Sequence, residues 1–167
     1  MVCYIGVGSN LGDRLKNIKQ ALLFLKKIKG IKVNKCSPVY ETQARGGMKD
    51  QRDYFNLVFE IDSALTPKDL LGCLKSVEKK VGRLKRKPRW ASREIDLDIL
   101  FYNDMVVKEE DLVIPHPLIQ ERFFVLKPLS DLAPFFKHPL LGMSAGEMLS
   151  ALKKEGRWRR VDEEIIS

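Results

Sequence analysis

The residues best suited to chemistry lie between positions 82 and 102 of this 167-residue sequence. The first half of the stretch has no acidic side chain and six cationic ones, which are Arg83, Lys85, Arg86, Lys87, Arg89 and Arg93. The second half carries two carboxylates, Asp96 and Asp98, separated by one residue. Cationic side chains bind phosphate, whereas carboxylates bind hard divalent cations. The two halves together predict a site for a nucleoside triphosphate bound as its Mg²⁺ complex.

The second half also alternates apolar and polar residues, which predicts a strand. Its apolar face would hold Ile95, Leu97, Ile99 and Phe101. Asp96 and Asp98 would then project side by side from the other face, roughly 6.5 to 7 Å apart along the strand. Taken singly, a basic run is usually a solvated surface and an Asp-x-Asp pair is often an exposed strand edge. Only the adjacency of the two favours a functional site.

Two further groups of residues have both a functional and a structural interpretation. Tyr54 and Asn56 share one face of a predicted strand, where a ring and a carboxamide could stack on a flat heterocycle and read its edge. An exposed tyrosine and a turn-stabilising asparagine explain the same pattern equally well. His116 lies between two prolines, which is more often a structural position, although near Arg122 it could contact phosphate.

The order of predicted elements indicates an α+β fold. Strands are expected at 2–7, 31–40, 54–61 and 95–101, with Pro38 at a sheet edge, and helices after residue 13 and from Thr66-Pro67 to Gly82. Strand, helix, strand, strand, helix, strand is the ferredoxin-like order, a mostly antiparallel sheet with helices packed on one face. The carboxylate strand would then lie in the middle of the sheet, beside the first strand. Gly8 to Asp13 lacks the signature of a phosphate loop, which favours a structural turn.

Composition sets the broad class of the protein. With 44% hydrophobic and 31% charged residues, the chain is expected to form one globular domain over residues 1–167. No apolar run approaches the roughly 18 residues that span a bilayer, and no signal peptide follows Met1, so a cytoplasmic protein is expected. Cys3, Cys36 and Cys73 have no metal-binding spacing. The net charge of +8 is compatible with nucleic acid, membrane or small polyanions.

Six separated motifs resemble those of the 6-hydroxymethyl-7,8-dihydropterin pyrophosphokinase family. They are Y-I-G-V-G-S-N-L-G-D-R (4–14), S-P-V-Y-E-T (37–42), Y-F-N (54–56), R-W-x-x-R-E-I-D-L-D-I-L (89–100), I-P-H-P (114–117) and R-x-F-V-L-x-P-L (122–129). The resemblance implies transfer of the β,γ-diphosphate of ATP to the hydroxymethyl group of the pterin, with release of AMP, in folate biosynthesis. It also implies two Mg²⁺ ions.

The resemblance further implies a role for individual residues. Asp96 and Asp98 would ligate the metal, and Arg83 and Arg93 would stabilise the transferred diphosphate. Four residues would bind the pterin: Tyr54 and Phe124 as stacking plates, and Asn56 and the backbone near Thr42 as readers of its edge. Six would contact ATP: Glu78, Lys85, Trp90, Ile99 through its main chain, His116 and Arg122.

Two flexible lids, at 43–53 and 82–92, are also implied by this resemblance. Closure of such lids would exclude water from the reactive anhydride. Gln43, Arg45 and Lys85 depart from the pattern of the family, and these departures concern the lids and the affinity rather than the type of reaction.

A nucleic-acid-binding module is the rival interpretation, because the same order of elements, the net positive charge and Trp90 occur in such modules. The predicted sheet lacks the paired aromatic motif of an RNA-binding fold, and two aspartates at its centre would repel a phosphate backbone. Small-molecule substrates, no nucleic acid, no membrane and a monomer are therefore expected.

Overall fold

The structure is a computed structural model that describes residues 1–44, 51–82, 91–153 and 156–165. The strands in chain order are β1 (Val2–Ser9), β2 (Ile31–Cys36), β3 (Val39–Thr42), β4 (Tyr54–Ser63), β5 (Asp96–Tyr102), β6 (Val107–Lys108), β7 (Val113–Ile114) and β8 (Trp158–Val161). The helices are α1 (Arg14–Lys26), α2 (Pro67–Val81), α3 (Phe123–Leu132) and α4 (Ala145–Ala151), and a short 3-10 helix spans Ile119–Glu121.

The main sheet is antiparallel and has the strand order β5-β1-β4-β3-β8, with β2 pairing along the rest of β4. β5 therefore lies beside β1 as predicted, but at the edge of the sheet rather than in its middle. The strand predicted at 31–40 is divided at Ser37 and Pro38 into β2 and β3. Ser37 compensates for the break, because its hydroxyl accepts a hydrogen bond from the Val58 N–H at 2.9 Å.

Helices pack on both faces of this sheet, although the sequence predicted them on one face. α1 and α2 cover the face that carries Ile5 and Leu97, where they form the larger apolar core. α3 and α4 cover part of the opposite face, where Tyr4, Val58 and Phe101 form a second core. The predicted α+β ferredoxin-like class is confirmed. Within the described ranges, no helix has both the length and the apolar character needed to span a membrane.

The predicted alternation of β5 holds as far as Ile99 and is wrong at Phe101. The pairing of β5 with β1 shifts by one residue after Ile99, which is a β-bulge. Because of this extra residue, Leu100 and Phe101 both contribute to the second core, and Tyr102 returns to the first. The bulge does not affect Asp96 and Asp98, which precede it.

α2 begins and ends where the sequence predicts. The Thr66 hydroxyl accepts the Asp69 N–H at 3.2 Å, Pro67 is the first helical residue, and Gly82 ends the helix with a φ of 134°. That φ is one that glycine adopts readily. The helix buries an apolar stripe against the sheet, and Glu78 lies on the same buried side. The position of α2 therefore decides where Glu78 meets β5.

The basic C-terminal segment at residues 156–161 joins the main sheet. The segment contains β8, which pairs with β3 in the register Thr42 to Trp158 and Val39 to Val161. β3 is consequently an inner strand. The sheet edge expected at Pro38 is covered from Val39 onward.

Candidate active site

A cavity of about 350 Å³ opens on the sheet face that carries Asp96 and Asp98. Its floor is bare because β1 contributes Gly6 and Gly8, which have no side chains. Gly8 pairs with Asn56 on one side and Asp96 on the other, and Gly6 pairs with Asp98. The missing side chains of β1 therefore provide the depth of the cavity between its two polar walls.

Nine of the residues predicted for the site line this cavity. The strands contribute Thr42, Tyr54, Asn56, Asp96 and Asp98. The segments before β5 and around the start of α3 contribute Arg93, His116, Arg122 and Phe124. Residues more than eighty positions apart in the sequence thus meet in one concave site.

The carboxylate pair makes one wall of the cavity strongly acidic. Burial, followed by the neighbouring Asp96 carboxylate, raises the pKa of Asp98 to about 6. Two adjacent carboxylates of this kind suit a hard divalent cation. The described part of the chain contains no group of three or more His, Cys, Asp or Glu side chains placed to hold a metal. A cation held by Asp96 and Asp98 would therefore need further oxygen ligands from a substrate or from water.

Arg93 lies beside this pair. Its guanidinium group donates to Asp96 Oδ1 at 2.9 Å, and both side chains are partly buried. A cationic group is therefore in place where phosphate oxygens would approach a metal bound to the carboxylates. The same guanidinium could contact either Asp96 or an incoming anion.

The turn after β1 fixes the backbone at Arg93. Asn10 and Leu11 donate their N–H groups to the Arg93 carbonyl at 3.0 and 3.1 Å, and the Asn10 side chain accepts the Arg93 N–H at 2.7 Å. The Ser9 hydroxyl donates to the Glu94 carbonyl at 2.6 Å. Ser9 and Asn10 are both buried. The turn therefore has the structural role predicted from the sequence, because it holds Arg93 and Glu94, the residues that lead into β5.

The opposite wall has the features of a slot for a flat ring. Asn56 is buried, and its side-chain amide donates to Thr42 Oγ1 at 2.7 Å, which fixes the orientation of the carboxamide. Tyr54 stands two residues earlier on the same strand face, and burial raises the pKa of its phenol. Phe124 lines the cavity from α3. Aromatic surfaces and an oriented amide therefore lie at one end of the cavity.

His116 is a neutral hydrogen-bonding group at the other side of the cavity. Burial, assisted by the nearby Arg122 charge, lowers the pKa of His116 to about 4. Its Nδ1 accepts the Leu118 N–H at 3.3 Å. Since Nδ1 is the acceptor, the proton of the neutral ring is on Nε2, which can donate to an oxygen of a ligand. The Arg122 guanidinium lies 5.7 Å from the centre of the Phe124 ring.

Glu78 and Ile99 do not line the cavity. Glu78 is 1% exposed and accepts the backbone N–H of Leu97 at 2.8 Å, on the side of β5 that has no described strand neighbour. On the same strand, the Leu100 carbonyl accepts the His116 N–H at 3.0 Å. The main chain of Ile99 lies between these two contacts, and its side chain is buried in the first core. Contacts of Glu78 and Ile99 with ATP stay predictions.

Arg83, Lys85 and Trp90 lie outside the described residues, as do positions 45–50 and the greater part of the second predicted lid. Their predicted roles stay predictions.

Several residues that shape the site were missed in the sequence. Gly6 and Gly8 alternate within a strand, and glycine inside a strand often marks a close approach of a ligand or another backbone. The sequence carries this signal, but the turn predicted from Gly8 onward separates Gly8 from the strand to which it belongs. Arg14 gave no such signal. It is buried, and its guanidinium donates to Glu41 at 2.8 Å and to the Asp53 carbonyl at 2.6 Å, which joins β3 to the start of β4.

Comparison with known proteins gives a family and a fold. The sequence profile described as 7,8-dihydro-6-hydroxymethylpterin-pyrophosphokinase matches residues 4–134. A 2-amino-4-hydroxy-6-hydroxymethyldihydropteridine pyrophosphokinase of Aquifex aeolicus is 40% identical over 137 residues, which are 82% of this chain and 83% of the relative. The resemblance inferred from the six motifs is confirmed.

Longer proteins also match. Folic acid synthesis protein fol1 of Schizosaccharomyces pombe is 41% identical over 155 residues, which are 93% of this chain. The chain spans about a fifth of the length of that relative, 21%. A crystal structure of wild-type Plasmodium falciparum HPPK-DHPS superposes with a TM-score of 0.69 at 17% identity, over 89% of this chain and 44% of the other. The last similarity supports the fold alone.

Proposed function

We propose, since this chain belongs to the 7,8-dihydro-6-hydroxymethylpterin-pyrophosphokinase family, that it transfers the β,γ-diphosphate of ATP to 6-hydroxymethyl-7,8-dihydropterin. The products are AMP and the pterin diphosphate, and the reaction belongs to folate biosynthesis. This assignment makes the protein an ATP-dependent diphosphokinase whose second substrate is a flat, amide-bearing bicyclic ring.

One observation carries the proposal beyond family membership. A single cavity contains both a carboxylate pair and a wall with aromatic and amide groups, and Gly8 separates Asn56 from Asp96. Adjacent strands lie about 4.8 Å apart, so Asn56 and Asp96 are roughly 10 Å apart across the sheet. A pterin whose ring lies against Tyr54 and Asn56 would therefore direct its hydroxymethyl arm toward the carboxylates.

The reaction is an in-line displacement at the β-phosphorus of ATP. A bond forms from the pterin hydroxyl oxygen to this phosphorus and the hydroxyl proton is lost to solvent, while the bond from phosphorus to the α,β-bridging oxygen breaks, so that AMP leaves with that oxygen. Asp96 and Asp98 would hold Mg²⁺, in our proposal two ions. When bound, Mg²⁺ neutralises phosphate charge and orients the attacking and leaving oxygens.

Cationic donors in this proposal stabilise the charge that develops on the transferred group. Arg93 is adjacent to Asp96 and would turn its guanidinium toward the diphosphate. Arg83 would act with it. Each donor that acts mainly in the transition state could contribute about 3 to 4 kcal/mol.

The remaining proposed contacts divide between the two substrates. Phe124 and Tyr54 would stack on the pterin, and Asn56 and the backbone near Thr42 would read its edge. On the nucleotide, His116 would donate from Nε2 and Arg122 would pair with phosphate. Ile99 would bind adenine through its main chain. Glu78, which accepts the Leu97 N–H two residues before Ile99, would also contact ATP. Lys85 and Trp90 would contact ATP from the cationic loop.

The remaining predictions from the sequence are retained as parts of this proposal. They are one domain over residues 1–167, a monomer, a cytoplasmic location, small-molecule substrates and no nucleic-acid partner. Salt-sensitive binding of oligonucleotides would contradict the last of these.

The test is to incubate the purified protein with ATP, Mg²⁺ and the dihydropterin alcohol and to separate the nucleotide products. AMP should accumulate in proportion to pterin diphosphate. Asp98→Asn keeps the shape of the side chain but removes its charge, so AMP formation should fall about 100-fold or more while the melting temperature changes little. Formation of ADP would reject the proposed reaction, and full activity of Asp98→Asn would reject the metal site.

A further inference from the structure

We propose that Trp158, on the C-terminal strand β8, is a positioning residue that fixes the pterin end of the site. The inference rests on the proposed function, because it concerns the affinity of that site for its flat substrate. Trp158 lies outside the family match, which ends at residue 134. The residue is therefore a feature of the part of the chain that the family comparison leaves unassigned.

β8 is joined to the strand that carries Thr42. The register places Trp158 opposite Thr42, and the Gln43 N–H donates to the Arg157 carbonyl at 3.1 Å. Directly paired residues of adjacent strands point to the same face of a sheet. Thr42 is paired in turn with Tyr54. Trp158 therefore stands on the cavity face, one strand beyond Thr42.

The indole ring of Trp158 also reaches the start of α3. Its centroid lies 5.9 Å from that of Tyr40 on β3 and 5.1 Å from that of Phe123, the first residue of α3. Phe123 immediately precedes Phe124, which lines the main cavity. Trp158 thus contacts both elements that flank the proposed pterin site. One is β3, which carries Thr42 at the proposed ring edge, and the other is α3, which carries the proposed stacking residue Phe124.

A smaller cavity of about 40 Å³ lies at this junction. Its lining includes Thr42, Phe123, Phe124 and Trp158. Removal of the indole would enlarge this space and leave Phe123 and Tyr40 without their shared aromatic neighbour. Phe124 and Thr42 could then move apart, whereas Asp96 and Asp98 on β5 are three strands away from β3. The larger loss is therefore expected in pterin binding, with a smaller effect on ATP binding because Arg122 immediately precedes Phe123.

The experiment compares Trp158→Ala, Trp158→Leu and Trp158→Phe with the wild type. Isothermal titration measures the Kd for the pterin and for a non-hydrolysable ATP analogue with Mg²⁺, and steady-state assays measure KM for each substrate. Trp158→Ala should raise the pterin Kd and KM roughly tenfold, as expected from the loss of two aromatic contacts. Trp158→Leu should have a smaller effect, and Trp158→Phe should restore most of the affinity. ATP affinity should stay within about twofold of the wild type in all three variants.

Arg160→Ala is the matched control, because Arg160 belongs to the same strand but lines neither the main cavity nor the smaller one. It should bind both substrates like the wild type. A pterin Kd that is unchanged in Trp158→Ala, or equal losses for pterin and ATP, would overturn the inference. If Trp158→Ala does not fold, an unchanged pterin Kd in Trp158→Leu has the same meaning.

Failure of the inference and failure of the proposed function are distinguishable. If the wild type is active and Trp158→Ala binds the pterin with the wild-type Kd, only the role of Trp158 is rejected. A wild type that binds the pterin without forming AMP rejects the reaction, and the comparison of binding constants then still decides the role of Trp158. A wild type that binds no pterin overturns both.

Discussion

Gly8→Ala should weaken pterin binding without weakening the fold. Gly8 lies on β1 between Asn56 and Asp96. A Cβ built on Gly8 would stand 3.2 Å from the Asn56 side-chain oxygen and 3.6 Å from the nearest Tyr54 ring carbon. The first distance is tighter than an ordinary contact, so the carboxamide would have to give way by a few tenths of an ångström.

The size of the effect follows from what holds Asn56 in place. Its amide donates to Thr42 Oγ1 at 2.7 Å, and a shift of the carboxamide would distort that bond as well as its bonds to the pterin edge. Hydrogen bonds in a buried site contribute about 1 to 3 kcal/mol when a partner is left unsatisfied. The pterin Kd should therefore rise roughly 5- to 150-fold. Alanine is favoured over glycine in a strand by about 0.5 to 1 kcal/mol, which offsets the strain in the folded state.

Gly72→Ala provides the control for this experiment. Gly72 is exposed on α2, and a Cβ there would meet nothing within 4 Å. That variant should gain about 0.5 to 1 kcal/mol of stability and keep both affinities. Calorimetric titration with the pterin and with a non-hydrolysable ATP analogue would measure the two variants together with their melting temperatures. Wild-type pterin affinity in Gly8→Ala, or loss of affinity only in proportion to a large loss of stability, would refute the reasoning.

Two further predictions concern Glu78, which is buried, and Glu41, which is partly buried. Glu78→Ala removes the acceptor of the Leu97 N–H and should lower the free energy of unfolding, measured in urea titrations, by about 1 to 3 kcal/mol. Glu78→Gln keeps an oxygen at this position and should lose less stability. Equal losses in the two variants would contradict this role of Glu78. Burial opposes ionisation of Glu41, but hydrogen bonds from Arg14 and Arg159 outweigh it and hold the pKa of Glu41 below its ordinary value of 4.5. The stability that this shift contributes is complete above pH 4.5 and is lost as the pH falls through the lower folded-state pKa. Glu41→Gln should therefore flatten the pH dependence of the unfolding free energy in that acidic range. An unchanged pH profile in this variant would refute the linkage.

Features determined by neighbouring residues could be predicted from the sequence. The start of α2 follows from a hydroxyl, a proline and an aspartate within four positions, Thr66 to Asp69. The common direction of Asp96 and Asp98 follows from the period of a strand. The pairing of β5 with β1 follows from the order of elements. In each case the determinant lies within a short segment or in the order of such segments.

Features determined by pairing between distant segments were not predictable in this way. The β-bulge after Ile99 is a property of two strands and not of the sequence of either one. β8 is a four-residue segment with two arginines, and it forms a strand because it pairs with the edge of β3 that β4 leaves open. Arg14 is buried only because β3 and β4 bring Glu41 and Asp53 to it. The periodicity of a sequence does not identify which distant segments will pair with it.

One face of the sheet serves both as core and as active site, and on β5 the change from one to the other coincides with the bulge after Ile99. Before it, β5 presents Asp96 and Asp98 to the cavity, and after it, Leu100 and Phe101 pack in the second core. The neighbouring strands divide in the same way. On β1, Tyr4 lies in the second core and is followed by Gly6 and Gly8 at the cavity, and on β4, Tyr54 and Asn56 at the cavity are followed by Val58 in the second core. The groups proposed to bind the two substrates are thus held on the same strands that anchor the core under α3 and α4. A site built on such rigid elements needs little reorganisation of its floor, which is the condition for precise placement of a hydroxyl against a phosphorus atom.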